Sequence, residues 1–512
     1  MAQTGASPRK TTLDKDLARL GEVEEATNVV ARGLIAPGLA LLFLALAAFL
    51  ASVVTGGEPR TVVIIVAAAA VAAYMALNIG ANDVANNVGP AVGAKVLTMG
   101  GALVMAAVCE TAGALIAGSD VVDTISGGLV VPASVDGPAL IRVMLAALLS
   151  AALWINLATW IGAPVSTTHS IVGAVIGGGM AAAGVASINW PAMGAITLSW
   201  IASPILGGII AATFLAFIES AIIYRDDKIA AARLWVPLLI ALMAGSFSTY
   251  LALKGLQNVA VFSGWTLAAV GLVGFIFIWA LAHLQVRLAS KNMENRNQSL
   301  KKLFRTPLII SAALLSFAHG ANDVANAVGP LAAIVRATAT PGDAGAGGTP
   351  LWVMVVGALG ISVGLLLYGP RLVRMVGAEI TRLNPMRAFC VALSTALTVI
   401  IASWFGLPVS STHIAVGSVF GVGFFREWYI ANSGQRRRYI ERRNAERLAE
   451  TATTGKPKTD DNKGASVSRQ EIVHRRLVRR AHVTRIVAAW VTTVPVSAML
   501  SAVLFLLLSA LS

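Results

Sequence analysis

Eleven residues of this 512-residue chain occur twice. Gly-Ala-Asn-Asp-Val-Ala-Asn-Asn-Val-Gly-Pro at 80–90 returns at 320–330 with one change, Asn87 becoming Ala327. Each copy sets an Asn-Asp pair and a further Asn into an otherwise apolar run: Asn82, Asp83 and Asn86, then Asn322, Asp323 and Asn326. A carboxylate in such surroundings is costly to desolvate, so it marks a functional site by default. Asp83 and Asn86 are three residues apart, as are Asp323 and Asn326, and on a helix each pair shares a face. The chemistry on offer is two oxygen-rich sites, one per half. Helix capping is the alternative, since Asn and Asp favour helix starts. Repetition speaks against it.

A second pair of stretches lies downstream. Residues 162–169 read Gly-Ala-Pro-Val-Ser-Thr-Thr-His and residues 406–413 read Gly-Leu-Pro-Val-Ser-Ser-Thr-His. Pro164 and Pro408 break the incoming helix, and Ser or Thr suits the start of the next. A helix broken inside the membrane exposes backbone N–H groups and the positive end of its dipole. The hydroxyls of Ser166, Thr167 and Thr168, and of Ser410, Ser411 and Thr412, add donors. The result is an anion-binding tip that needs no lysine. An ordinary capped span starting at the membrane surface is the alternative. His169 and His413 close the tips, either as hydrogen-bonded structural residues or as proton carriers. Glu110 is a further candidate buried acid, either a proton carrier or a structural partner of polar backbone, since the corresponding stretch of the second half is Gly-rich. Ser166, His169 and Asp83 could be drawn as a hydrolase triad, but no Gly-x-Ser-x-Gly elbow accompanies them. An enzyme also has no evident need of a second copy.

The elements that must hold these residues are membrane helices. The chain is 56% hydrophobic and 12% charged, with many apolar runs of bilayer-spanning length. Its formal charge of +14 sits in short connections and one long loop, which the positive-inside rule explains without nucleic acid. Cys109 and Cys390 fit no metal spacing and read as buried hydrophobes. The division expected is a cytoplasmic tail at 1–32, an extra transmembrane helix at 33–57 and a first transport repeat at 61–223. Bridging helices at 231–289 and a basic cytoplasmic connection at 290–305 follow. A second repeat at 306–425, a basic cytoplasmic loop at 426–480 and a final helix at 481–512 complete the chain.

Charge placement orients the halves. The stretch 119–138, read as a loop, holds Asp120, Asp123 and Asp136 and no Lys or Arg. Its equivalent at 371–387 holds Arg371, Arg374, Arg382 and Arg387. The same element therefore lies outside in one half and inside in the other, the mark of inverted-topology repeats. The Gly-rich loop 336–350 comes out external. Thr451 to Lys463 reads as a flexible linker, and the Arg/Glu-rich ends of its loop as surface helices. Trp200 and Pro204 are echoed weakly by Trp490 and Pro495. The fold class expected is an all-α integral membrane protein of about twelve transmembrane or re-entrant helices, in two inverted repeats with discontinuous helical hairpins.

The paired Asn-Asp and Pro-Val-Ser-(Ser/Thr)-Thr-His motifs resemble those of the inorganic phosphate transporter family, over roughly 61–223, 306–425 and the final helix. That family includes bacterial low-affinity phosphate permeases and eukaryotic sodium–phosphate symporters. The resemblance implies secondary active uptake of phosphate coupled to a cation, sodium or a proton, in a multi-pass cell-membrane protein with a cytoplasmic N-terminus and no cofactor. A metal–phosphate complex as the carried species is a variant of that reading. The resemblance places the hydroxyls of both tips, with Asn82 and Asn322, in the phosphate cradle. It gives Asp83, Asn86, Asp323 and Asn326 to cation coupling, with Asp83 and Asp323 as metal ligands if sodium is the ion. Homodimerisation is also implied. Family members that carry sulfate keep a sulfate or other oxyanion permease open, and a passive anion channel is the reading from a different class.

Overall fold

In a bilayer every backbone N–H and C=O must find its partner within the protein, and a helix does this within one segment. In a computed structural model the long apolar runs accordingly fold as helices. The structure describes residues 34–131, 134–163, 165–255, 263–338, 348–379, 383–454 and 480–511. The N-terminal tail, Pro164, Arg382, most of the Gly-rich loop and most of the expected linker lie outside these residues.

Seventeen α-helices follow in order among the described residues. They are α1 (Leu34–Val54), α2 (Pro59–Gly93), α3 (Met99–Ala117), α4 (Ser119–Gly127), α5 (Gly137–Ile161), α6 (Thr167–Ala183), α7 (Trp190–Ile218), α8 (Lys228–Gly255) and α9 (Gly264–Ala289). After these come α10 (Asn297–Leu303), α11 (Arg305–Asp323), α12 (Ala325–Thr338), α13 (Leu351–Glu379), α14 (Pro385–Trp404), α15 (Ser411–Asn432), α16 (Gly434–Thr454) and α17 (Arg480–Leu511). Eleven helical segments are long and apolar enough to cross a membrane. With no strand among the described residues, the chain is an all-α integral membrane protein.

Three stretches differ from expectation. The stretch 119–138 is not simply a loop, because it contains α4. This short helix is held down by Thr124 Oγ1 donating to Gly406 O (2.7 Å) and by Arg336 pairing with Asp123 (2.7 Å). Its amphipathic Val121, Val122 and Ile125 are buried, and burying that face outweighs the chain's turn-like composition. In the second half α13 continues through Arg371 and Arg374 to Glu379, so those arginines ride on a helix end. Finally α17 starts at Arg480, and the arginine-rich loop begins as the helix α16.

The helices are paired across the two halves. α2 packs on α13 and α11 on α3, while α6 packs on α17 and α15 on α7. Glycines permit the approach. A Cβ on Gly80 would lie 1.9 Å from Ile361 O, and one on Gly320 would lie 2.1 Å from Glu110 O. Further along the tip helices α6 and α15, a Cβ on Gly177 would lie 2.0 Å from Ala498 O, and one on Gly421 2.0 Å from Gly208 O. Small residues at helix crossings are how membrane helices gain contact where lipid gives no hydrophobic drive. The leading glycine of each Asn-Asp motif is therefore a packing residue. It fixes the motif's depth against a helix of the other half.

Candidate functional site

Each hairpin tip is built by local signals. α5 ends at Gly162, whose φ of 73° lies in the left-handed region, and α14 is followed by Gly406 at φ 65°. The chain reverses there, and a serine then caps the next helix. Ser166 Oγ accepts from His169 N (3.1 Å) and Ser410 Oγ accepts from His413 N (3.2 Å). Ser166 and Ser410 of the expected cradle are thus committed as N-caps. At Ser166 the contact with His169 is made by that residue's backbone N–H, as a cap. The hydroxyls one and two residues further on are the ones aimed at the Asn-Asp motifs.

The first motif lies within the unbroken helix α2. The second straddles the junction of α11 and α12 at Val324, whose dihedrals stay helical. Within each half the same contact forms. Thr167 Oγ1 donates to Asp83 Oδ2 at 3.0 Å, and Ser411 Oγ donates to Asp323 Oδ2 at 2.9 Å. Between halves a second contact forms in both directions. Asn86 Nδ2 donates to Thr412 Oγ1 (2.9 Å), and Asn326 Nδ2 donates to Thr168 Oγ1 (3.2 Å). Each motif therefore holds its own tip through the aspartate and the opposite tip through the second asparagine.

Asn82 and Asn322 do something different. Asn82 Nδ2 donates to Thr159 Oγ1 (2.8 Å), and Asn322 Nδ2 to Ser403 Oγ (2.9 Å). Asn322 Oδ1 also accepts from Val409 N (3.2 Å). These amides tie each motif to the incoming limb of its hairpin. The two tips meet as well: the His169 and His413 rings pack edge to face at 4.4 Å between centroids, and Thr168 Oγ1 donates to Val409 O (3.0 Å).

Symmetry stops at one buried cluster. Asp83 takes a further hydroxyl from the opposite tip, Thr412 Oγ1 at 3.0 Å to Oδ1. His319, one residue ahead of the second motif, places Nε2 2.9 Å from Asp323 Oδ2 and 3.7 Å from Asp83 Oδ2. Its Nδ1 lies 3.3 Å from Glu110 Oε2. Glu110 Oε1 in turn accepts from Asn87 Nδ2 (2.8 Å). The corresponding places in the other half are Ile79 and Ala327, so this chain of groups exists once. His319 and Asn87 were not among the residues singled out from sequence. The signal for both was on the page: Asn87 is the one position where the repeated motif differs, and His319 stands one turn before Asp323.

Three carboxyl groups, each no more than 1% exposed, converge on a single imidazole. Buried charge without compensation is strongly unfavourable, so the cluster calls for protons or a cation. Asp83, His319 and Asp323 can bring ligand atoms within 4.8 Å of one another. Asp323 Oδ1 and Asn326 Oδ1 are buried acceptors with no hydrogen-bond partner among the described residues. A donor set rich in carboxylate and amide oxygen fits a hard cation such as sodium. Beside it, the tip hydroxyls and the first N–H groups of α6 and α15 fit an anion.

Comparisons with known proteins show the family. The phosphate transporter family matches residues 79–501. A protein of Helicobacter pylori strain J99 named as a phosphate permease is 45% identical, covering 96% of this chain and 98% of its own length. One of Thermococcus kodakarensis named in the same way is 40% identical over 69% of this chain and 86% of its own. A solved structure described as the sodium-dependent phosphate transporter aligns with a TM-score of 0.73 at 31% identity, over 88% of this chain and all of its own. The chain belongs to the phosphate transporter family.

Proposed function

We propose that this protein is a symporter that takes up inorganic phosphate across the cytoplasmic membrane, coupled to a cation held at the paired Asn-Asp motifs. The observation that carries the reading is Asp83, whose two oxygens accept from both tips, Thr167 and Thr412. Binding at the carboxylate and binding at the tips are thereby one event. Removing the charge of Asp83 changes the hydrogen bonds of both tips at once.

The energetics require such a link. Moving a dianion inward against 100 mV costs about 4.6 kcal/mol, from about 2.3 per charge. An accompanying cation, or carriage as a metal–phosphate complex, offsets that. In the proposed site Asp83 and Asp323, with Asn86 and Asn326, would hold the cation. Thr167, Thr168, Ser411 and Thr412 would hold the phosphate. A hydrogen phosphate can donate to an aspartate, whereas sulfate is only repelled by it, and this favours phosphate. The sodium dependence named for the structural relative supports sodium as the ion.

The halves 61–223 and 306–425 are proposed to be inverted repeats completed by α17, with 231–289 bridging them. The matched contacts Asp83–Thr167 with Asp323–Ser411, and Asn82–Thr159 with Asn322–Ser403, support this. A cytoplasmic N-terminus and a homodimer complete the proposal, and cross-linking in native membranes checks the latter. The deciding experiment is uptake of labelled phosphate in proteoliposomes, with sodium and proton gradients imposed separately and sulfate as competitor. Accumulation driven by one gradient and resistant to sulfate is expected. Equilibration alone would indicate a channel, and strong sulfate competition a general oxyanion permease.

A further inference from the structure

α16, the described start of the arginine-rich segment, is docked by specific contacts away from the Asn-Asp motifs. α7 ends in a π-helical turn at Glu219–Ile223, and the chain turns through Tyr224–Asp227 into α8. α15 passes through Ser433 into α16, which lies against that turn. Gln435 Nε2 donates to Ser220 O (3.1 Å), and Arg442 pairs with Asp226 (3.1 Å). Lys228 Nζ donates to Tyr439 Oη (2.6 Å) and to Arg225 O (3.1 Å).

Two features of this junction point to an anion. Between the turn and α16 lies a cavity of about 350 Å³, lined by Tyr224, Arg225, Gln435, Arg438, Tyr439 and Arg442, with Asp226 at its side. That volume falls within the usual range for small-ligand sites, about 300–1,000 Å³. Three guanidinium groups face one carboxylate, which Arg442 already pairs. Independently, Lys228 is only 3% exposed, and both of its hydrogen-bond partners are neutral. Its ammonium donates to Tyr439, a residue of the cavity wall, so this buried positive charge lies beside the cavity. Burial pushes the Tyr224 phenol up to about 12, with Glu219 adding to the rise, so this wall of the cavity stays a neutral donor. Planar guanidinium forks match the oxygens of a phosphate group two at a time.

We propose that this cavity is a second oxyanion site, separate from the tips, that binds a phosphate group. The same chemistry is presented by free orthophosphate and by the phosphodiester of an anionic lipid. α16 continues from α15, whose opposite end carries Ser411 and Thr412, and α7 packs along α15. An anion bound here therefore ties the far end of the tip helix to its neighbour.

The test uses the purified full-length chain and the Arg225→Gln/Arg438→Gln double variant, with Arg225→Lys/Arg438→Lys as the charge-preserving control. Labelled orthophosphate is measured by equilibrium dialysis, and lipid retention by native mass spectrometry from nanodiscs of phosphatidylglycerol or of phosphatidylcholine. The glutamine pair is expected to weaken one probe at least about ten-fold, from the loss of charge-assisted hydrogen bonds. Loss of one of two orthophosphate equivalents identifies the soluble ion as ligand. Loss of a bound phosphatidylglycerol identifies the lipid. Equal binding of both probes by wild type and variant overturns the site. On the unaltered chain, phenylglyoxal labelling of Arg438 and Arg442 should fall several-fold when the binding probe is present. Labelling that neither orthophosphate nor phosphatidylglycerol reduces would overturn the site even if the glutamine variant failed to fold.

Discussion

Asp83 and Thr412 stand 329 residues apart in the chain and share a 3.0 Å hydrogen bond. Thr412 also accepts from Asn86 at 2.9 Å, so one hydroxyl of the second tip is held by two residues of the first motif. Its counterpart Thr168 takes Asn326 but donates to Val409 O instead. The tips are matched in position and unequal in partner.

Thr412→Val and Thr168→Val each remove a hydroxyl at nearly constant shape. Hydrogen bonds to charged groups contribute about 1.5–3 kcal/mol, so apparent phosphate affinity should fall about ten- to a hundred-fold in uptake assays. Thr412→Val should also weaken cation dependence, because its partner is Asp83. Unchanged affinity in both variants would leave these residues with a packing role alone.

Asp83→Asn and Asp323→Asn keep volume and remove charge. Both should insert and fold, yet lose cation-driven accumulation. Folding should survive because Asn keeps the volume and a hydrogen-bonding oxygen, and His319 keeps its other two carboxyl partners. Measuring cation dependence and phosphate-over-sulfate preference in the same variants separates two roles for each aspartate. Normal coupled transport by either variant would remove that aspartate from the working site.

His319 is shared by Asp83, Asp323 and Glu110, so His319→Leu leaves three buried carboxyl groups without their common partner. A destabilisation of about 3–5 kcal/mol is expected, read as a lowered thermal midpoint of the purified chain. Asn87→Ala, which makes the two motifs identical, removes one hydrogen bond to Glu110 and should cost about half as much. Equal midpoints for wild type and His319→Leu would show that the imidazole does not hold the cluster together.

Gly421→Ala places a methyl group where backbone already lies, 2.0 Å from Gly208 O. Overpacking of this kind costs about 1–3 kcal/mol. Gly89→Ala is the control, since a Cβ there meets nothing within 4 Å and alanine favours the helix by about 0.5–1 kcal/mol. Thermal stability in detergent should therefore drop for the first and hold or rise for the second.

Topology is checked with cysteines in a chain lacking Cys109 and Cys390. Cysteine at the exposed Ser134 should react with an impermeant thiol reagent from outside. Cysteine at Thr381, which lies outside the described residues, should react only from the cytoplasm. Labelling of both from one side would rule out inverted halves.

What the sequence determined by itself is local. Ser166 and Ser410 cap helices because a small hydroxyl residue ahead of a helical run satisfies an orphan N–H within three residues. The apolar runs are helices because lipid leaves the backbone no other partner. The hydroxyl runs of the two tips and the isolated aspartates were legible for the same reason: their meaning depends on near neighbours and on repetition. Tertiary structure alone decided which groups meet. Nothing within a few residues of Asp83 indicates Thr412, and nothing near Glu110 indicates His319 or Asn87. Those contacts depend on α2 crossing α13 and α11 crossing α3, at depths set by the backbone approach at Gly80 and Gly320. Likewise, Asn82 and Asn322 carry the same residue types as Asn86 and Asn326 one helical turn away. Only the rotation of each helix against its hairpin sends the first pair to the limb and the second to the tip.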